Sequence, residues 1–218
     1  MKSFSDERAA LSACGARGGF RVEAPGVAVL LLDERHTLPT GRQDRRERKR
    51  ARRALRDQDR LSAKLAELAC IDALLADAAR VIERGWMQHG WFAYIDQSGE
   101  RRIVTGCSPR TRRTVAPEQV VTTCLVGAIV HAAGGPAEAR SQLVQRTIDL
   151  TWHSLYRGAQ EPIRWCRPPV ERAGHVTDLV RWNDRPGRTP REATALLCRT
   201  RTIARAETER VRGLLQNV

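Results

Sequence analysis

Nine basic side chains crowd into the fifteen positions 42–56: Arg42, Arg45, Arg46, Arg48, Lys49, Arg50, Arg52, Arg53 and Arg56. The chemistry they offer is phosphate recognition. A guanidinium can donate two parallel hydrogen bonds to one phosphate, and it stays charged throughout the physiological range. Contacts to phosphate carry no base information, so this run argues for affinity and a steep salt dependence rather than for specificity. Asp44 and Glu47 are interspersed. A merely solvated charged face is the blander reading of the same run.

A second constellation lies far downstream of the first. Trp86 and His89 sit in one Gly-bounded segment, and Trp182, Asp184 and Arg188 in another, with Asn183 and Thr189 beside them. An indole pair, a carboxylate, an imidazole and a guanidinium could line a ligand pocket. The structural reading is the stronger one. Tryptophans fill cores with their N–H on a turn carbonyl, Asn and Asp suit helix ends and turns, and Arg188 could pair with Asp184.

Signatures of a known reaction are missing. The chain has no G-x-S-x-G, no H-E-x-x-H, no phosphate loop of the G-x-x-x-x-G-K type and no deaminase pattern. His36, His89, His131, His153 and His175 are scattered, and no catalytic residue is assigned. The six cysteines (Cys14, Cys70, Cys107, Cys124, Cys166, Cys198) show no C-x-x-C spacing. Cys124 and His131 share a helical face but stand ~10 Å apart along it, too far to bind one ion. No metal and no cofactor is expected. The opening residues do not form a signal peptide, so the cysteines are read as reduced thiols in a cytoplasm.

The elements that must position these residues follow from composition and period. The 218 residues carry 38 basic and 25 acidic side chains, net +13, with only 5% aromatics. That length suits a domain with an extension and excludes the need for staples. The charge favours polyanions. However, 35 of the 38 cations are arginine, a bias that a GC-rich genome produces unaided, so distribution counts for more than the total. Ten basic residues against four acidic ones fall in 41–60.

Helical periodicity then runs through Leu61, Leu65, Leu68, Leu75, Ala78, Val81 and Ile82, predicting a helix over about 44–84 with Gly85 as its C-cap. Leu61, Leu68, Leu75 and Ile82 also form a heptad behind a basic region, as in a basic zipper. Asp72 and Ala79 make that seam poor, so the apolar face is expected to pack on the protein's own core.

Further on, Trp91 to Ile95 and Arg102 to Thr105 flank a Ser-Gly turn and read as a β-hairpin. Residues 107–117 read as a basic loop. Val121, Cys124, Leu125, Ala128 and Ile129 mark one face of a helix that Gly134-Gly135-Pro136 ends. Helices over about 136–156 and 170–182 follow. The last begins at Thr189-Pro190-Arg191-Glu192, a capping box with proline in the first turn. The prediction is a mainly α fold. A compact helical domain of four or five helices with a small β-hairpin (61–218) follows an arginine-rich helical arm (41–60) and an irregular segment (1–40). No segment reads as a membrane span.

Three pieces of this sequence resemble a family of small, uncharacterised helical proteins of actinobacteria and their phages. They are the stretch ending Arg84-Gly85-Trp86, the stretch Cys124-Leu125-Val126-Gly127-Ala128-Ile129, and Trp182-Asn183-Asp184 with Pro186-Gly187-Arg188-Thr189. The resemblance covers about residues 70–200. It implies that the first motif closes one helix, the second opens another and the third leads into the last. It implies a fold and an origin and no activity, and the basic arm lies outside it.

The functional expectation is a non-enzymatic cytoplasmic binding protein whose arm contacts the phosphates of DNA or RNA. The alternative is a regulatory factor of phage origin that binds a host protein or ribonucleoprotein complex.

Overall fold

The computed structural model describes residues 42–159, 161–165 and 168–217. The expectations placed on 1–40, on His36, Cys14 and Cys166, lie outside these residues. The chain divides into two units, Met1–Arg60 with Val218, and Leu61–Asn217.

Helix α1 (Arg42–Arg84) is described over 43 residues without a break. Its sequence has no Gly or Pro and is rich in Arg, Ala, Leu and Glu, all strong helix formers. Its apolar period starts only in the second unit, where Leu68, Ile71, Leu74, Leu75, Ala78, Val81 and Ile82 are buried. Three of the four heptad residues are therefore spent on the chain's own core. Asp72, the misfit of the zipper seam, accepts hydrogen bonds from Arg201 and Arg205.

After α1 the chain makes a three-stranded antiparallel sheet in the order β2-β1-β3, from β1 (Phe92–Ile95), β2 (Arg101–Val104) and β3 (Val120–Thr123). The expected hairpin is β1 and β2, with Phe92 opposite Val104 and Ile95 opposite Arg101. Asp96 shapes its turn by accepting from the backbone N–H groups of Ser98 and Glu100.

The third strand corrects the sequence reading. The sequence places Val121 in the next helix, because the apolar period runs straight through Val121 and Cys124, whereas Val120–Thr123 is a strand. Four β-branched residues in a row favour a strand. The helix, α3 (Leu125–Ala132), starts after Cys124. Two smaller corrections accompany it. The basic loop contains a short helix, α2 (Pro109–Thr114), capped by the Ser108 hydroxyl. The helix expected from 136 splits into a 3-10 turn (Pro136–Arg140) and α4 (Gln142–Tyr156), because Ser141 caps a fresh N-terminus at Val144 N–H.

Helices α5 (Pro169–Asn183) and α6 (Pro190–Gln216) complete the unit. Both parts of the predicted capping box are present: Thr189 Oγ1 accepts from Glu192 N–H, and Glu192 accepts from Thr189 N–H. The centre of the core is α3, where every residue from Leu125 through Val130 is buried. Phe92, Ile148, Leu179, Leu196 and Leu197 join it and the α1 row from Ile71 to Ile82 in one apolar cluster. Each such aliphatic side chain contributes about 1.5–3 kcal/mol on burial.

Candidate functional site

The basic run occupies α1 within the first unit. Arg42 is the first residue of the helix, and the side chains of Arg45, Arg46, Arg48, Lys49, Arg50, Arg52, Arg53 and Arg56 are all exposed. Helical spacing of three and four residues sets Arg45, Arg48, Lys49, Arg52 and Arg56 on one stripe. Among the described side chains no carboxylate pairs with Arg45, Arg46, Arg48, Lys49, Arg50, Arg52, Arg53 or Arg56. Arg56 Nε donates to the Arg52 carbonyl at 3.0 Å, which uses one of its five N–H groups. The stripe thus presents a high density of cationic donors that no carboxylate among the described side chains compensates.

The second constellation is assembled in the Leu61–Asn217 unit, around Asn183. This side chain is fully buried. Its Oδ1 accepts from the indole N–H of Trp86 at 3.0 Å and from the backbone N–H of Leu125 at 3.1 Å. Its Nδ2 donates to the Met87 carbonyl at 3.1 Å and to Asp184 Oδ1 at 2.9 Å. All four hydrogen-bonding positions of the amide are filled.

The neighbours extend the same pattern. Gln88 donates to the carbonyls of Asn183 and Arg185. His89, at φ 60°, donates its backbone N–H to Asp184 Oδ1 at 2.9 Å, while its ring stays exposed. Arg188 does not take the expected partner Asp184. It lies with its guanidinium carbon 4.1 Å from the Trp182 ring centre, pairs with Glu192 and donates to the Trp182 carbonyl. Trp86, His89, Trp182, Asp184 and Arg188 are thereby held together, and what they build is a latch joining the end of α1, the strand region and the end of α5.

The glycines and the cysteine of the three motifs serve the same junction. Gly85 follows Arg84 as the expected C-cap of α1, with its N–H donating to the Val81 carbonyl at 3.2 Å, and the junction asks more of it. Its role is close approach: a Cβ there would stand 2.6 Å from the Val121 carbonyl oxygen. Gly85 C=O accepts from Thr123 N–H, and Thr123 C=O accepts from Met87 N–H, both at 3.0 Å. Gly127 is tighter still, since a Cβ would meet the Trp91 carbonyl oxygen at 2.0 Å. Cys124 caps α3 through Sγ, which accepts from Gly127 N–H at 3.3 Å. Burial pushes its thiol up to about 12, so it is an inert cap rather than a nucleophile.

An open cleft of about 620 Å³ adjoins the latch, between the end of α1 and the start of α6. Of the five expected pocket residues Trp86 lines it; the rest of its wall includes Ile82, Glu83, Arg191 and Cys198.

Sequence reasoning missed two polar networks. Asp149, buried on α4, accepts from His175 Nδ1 at 2.7 Å and from Arg172 Nε at 3.1 Å, and Trp152 stacks on the His175 ring at 4.0 Å. These groups tie α4 to α5. Glu67 pairs with Lys64 and Arg146, and Lys64 lies over the Trp165 ring. Lys64 and Glu67 lie three apart on α1, and Arg172 and His175 three apart on α5, but the groups that complete each network, Arg146 and Trp165 in one and Asp149 in the other, lie on separate segments. Among the described residues no group of three His, Cys, Asp or Glu side chains could hold a metal ion, and no helix is long and apolar enough to cross a membrane.

A family model described as a family of unknown function, DUF6197, matches residues 69–203. No curated protein and no solved structure matches the chain. The match spans all three motifs of the latch and stops short of the basic run.

Proposed function

The chain belongs to the DUF6197 family, and from that premise we propose that it is a non-enzymatic, cytoplasmic nucleic-acid-binding protein. The helical domain common to the family is a scaffold held by the Asn183 latch. The binding element is the arginine-rich helix that precedes the matched region. The likeness of the three motifs to actinobacterial and phage proteins supports an origin of that kind.

The single observation that carries this reading is the unpaired stripe Arg45, Arg48, Lys49, Arg52 and Arg56. Exposed arginines on a soluble surface are commonly offset by carboxylates three or four residues away. Some exposed arginines elsewhere in this chain are: Arg80 with Asp77, Arg157 with Glu161, Arg212 with Glu209. On the stripe no carboxylate among the described side chains does so, and the donors are spaced along one face for phosphate oxygens. Neutralising Z phosphates makes log K fall with log salt at a slope of about −0.9Z on duplex DNA.

The test is fluorescence anisotropy with labelled nucleic acids across a salt series, on the full chain and on a variant carrying Arg45→Gln, Arg48→Gln and Arg52→Gln. The reading expects salt-dependent binding by the parent and a large loss in the variant. Equal binding by both, or none by the parent at physiological salt, overturns it.

A further inference from the structure

Resting on that reading, we infer that the arm lies in the major groove of B-form duplex DNA. The argument comes from how far the positive charge wraps around the helix. Successive residues turn by about 100°. Arg48 marks one edge of the basic surface, Lys49 and Arg56 its centre, and Arg46 and Arg50 its other edge, an arc of about 200°. All are exposed on one continuous helix. Between positions 45 and 56 the one carboxylate, Glu47, falls on the remaining side with Ala51, Ala54 and Leu55.

A helix resting along a single phosphate backbone meets anions only beneath it, and a narrow stripe serves that contact. A helix in the major groove is flanked by both backbones, so cations are needed on both sides as well as on the inner face. The groove is about 12 Å wide, and a helix with its side chains is about 10–12 Å across. The charged stretch from 45 to 56 is about 17 Å long, roughly half a helical turn of duplex, so a straight rod follows the groove without climbing out.

Two alternatives fit less well. The major groove of A-form RNA is too deep and narrow to admit such a rod. Single strands are held by stacking on aromatic rings as well as by charge, and residues 42–60 contain no Phe, Trp or Tyr. The weakly polar back of the helix, where Leu55 is exposed, faces away from the DNA.

The test uses the full chain and four labelled probes of one sequence: a DNA duplex, the matching RNA duplex, and each single strand. Two paired variants accompany it, Arg48→Gln with Arg50→Gln at the edges and Lys49→Gln with Arg56→Gln at the centre. Glutamine keeps the helix propensity close to that of arginine, and circular dichroism checks that helicity is unchanged. The expected result is tightest binding to duplex DNA, a loss of about tenfold or more for the edge pair, which gives up two phosphate contacts, and a loss also for the centre pair, which faces the groove floor. Binding to duplex RNA or single strands as tight as to duplex DNA overturns the groove while leaving nucleic-acid binding in place, as does an edge pair that binds like the parent. No binding to any probe overturns the groove and the functional reading together.

Discussion

Trp86 and Asn183 lie 97 positions apart in the chain, and the Trp86 indole N–H donates to the Asn183 amide oxygen at 3.0 Å. The same amide joins Leu125 N–H and the Met87 carbonyl. One side chain thus connects the three sequence motifs that the family match spans. A buried amide with every position filled sets geometry strictly, because any shift leaves a donor or acceptor unpaired.

Replacing Asn183 tests that role. Asn183→Ala strands the Trp86 and Leu125 N–H groups and the Met87 carbonyl in a dry interior. The expected cost is about 2–4 kcal/mol, a fall in Tm of roughly 5–15 °C for a unit of this size. Asn183→Asp keeps the shape but turns a donor into an acceptor facing Met87 C=O and Asp184, and costs at least as much. Thermal unfolding followed by circular dichroism measures both, and a loss under about 1 kcal/mol for either would show the latch to be dispensable.

The second prediction concerns Gly127. A methyl group there overlaps the Trp91 carbonyl oxygen, which is fixed by accepting from Cys124 N–H at 3.1 Å. Neither the backbone nor the fully buried α3 can move aside cheaply. Gly127→Ala is expected to destabilise by about 3 kcal/mol or more, against the small gain that Ala brings at an ordinary helical position. Gly213→Ala, where a Cβ meets nothing within 4 Å, is the matched control and should be neutral or stabilising. Equal stability of the two variants would sink the close-approach argument.

These residues show what was legible in the sequence and what was not. The start of α6 was readable because its capping box is local, all within Thr189 to Glu192. The buried face of α1 was readable because its period is local too. Strand β3 was misassigned because an apolar period continued across it, although Val120, Val121, Thr122 and Thr123 carried a β-branched signal. The expected Arg188–Asp184 pair was the nearest charge match along the chain. Tertiary structure gives Asp184 to His89 and Asn183, and turns Arg188 onto Trp182. Asn183 itself looked like a turn residue, since none of its partners from the 86–87 and 125 regions is near it in sequence.

The acid limb of stability should depend on Asp72 and Glu67. Burial alone would raise both carboxyls. Hydrogen bonds from Arg201 and Arg205 outweigh it for Asp72, and those from Arg146 and Lys64 for Glu67, so both are held below their ordinary values of 3.8 and 4.5. A carboxylate held low in the native state binds its proton more weakly than in the unfolded chain. Its stabilisation is therefore complete above the ordinary value and is lost as pH falls through the lower native value. Tm is expected to drop as pH is taken below about 4, and Asp72→Asn should lower Tm at neutral pH while converging on the parent in acid. A constant difference at all pH values would assign the effect to packing instead of charge.

Thiol reactivity separates the cysteines by environment. Cys124 is buried, accepts from Gly127 N–H and has its thiol pushed up to about 12, whereas Cys198 is exposed on α6. The thiolate is the reactive form, so iodoacetamide near neutral pH should modify Cys198 in the folded protein and leave Cys124 intact, as read by peptide mass mapping. Cys124 then becomes reactive only when α3 leaves the core. Since α3 is the centre of that core, its labelling rate should follow global unfolding and rise with denaturant. Asn183→Ala and Gly127→Ala should accelerate it in proportion to the stability each removes. Rapid labelling of Cys124 without denaturant would mean that α3 opens locally, and the core would then be less cooperative than the packing of Leu125 through Val130 requires.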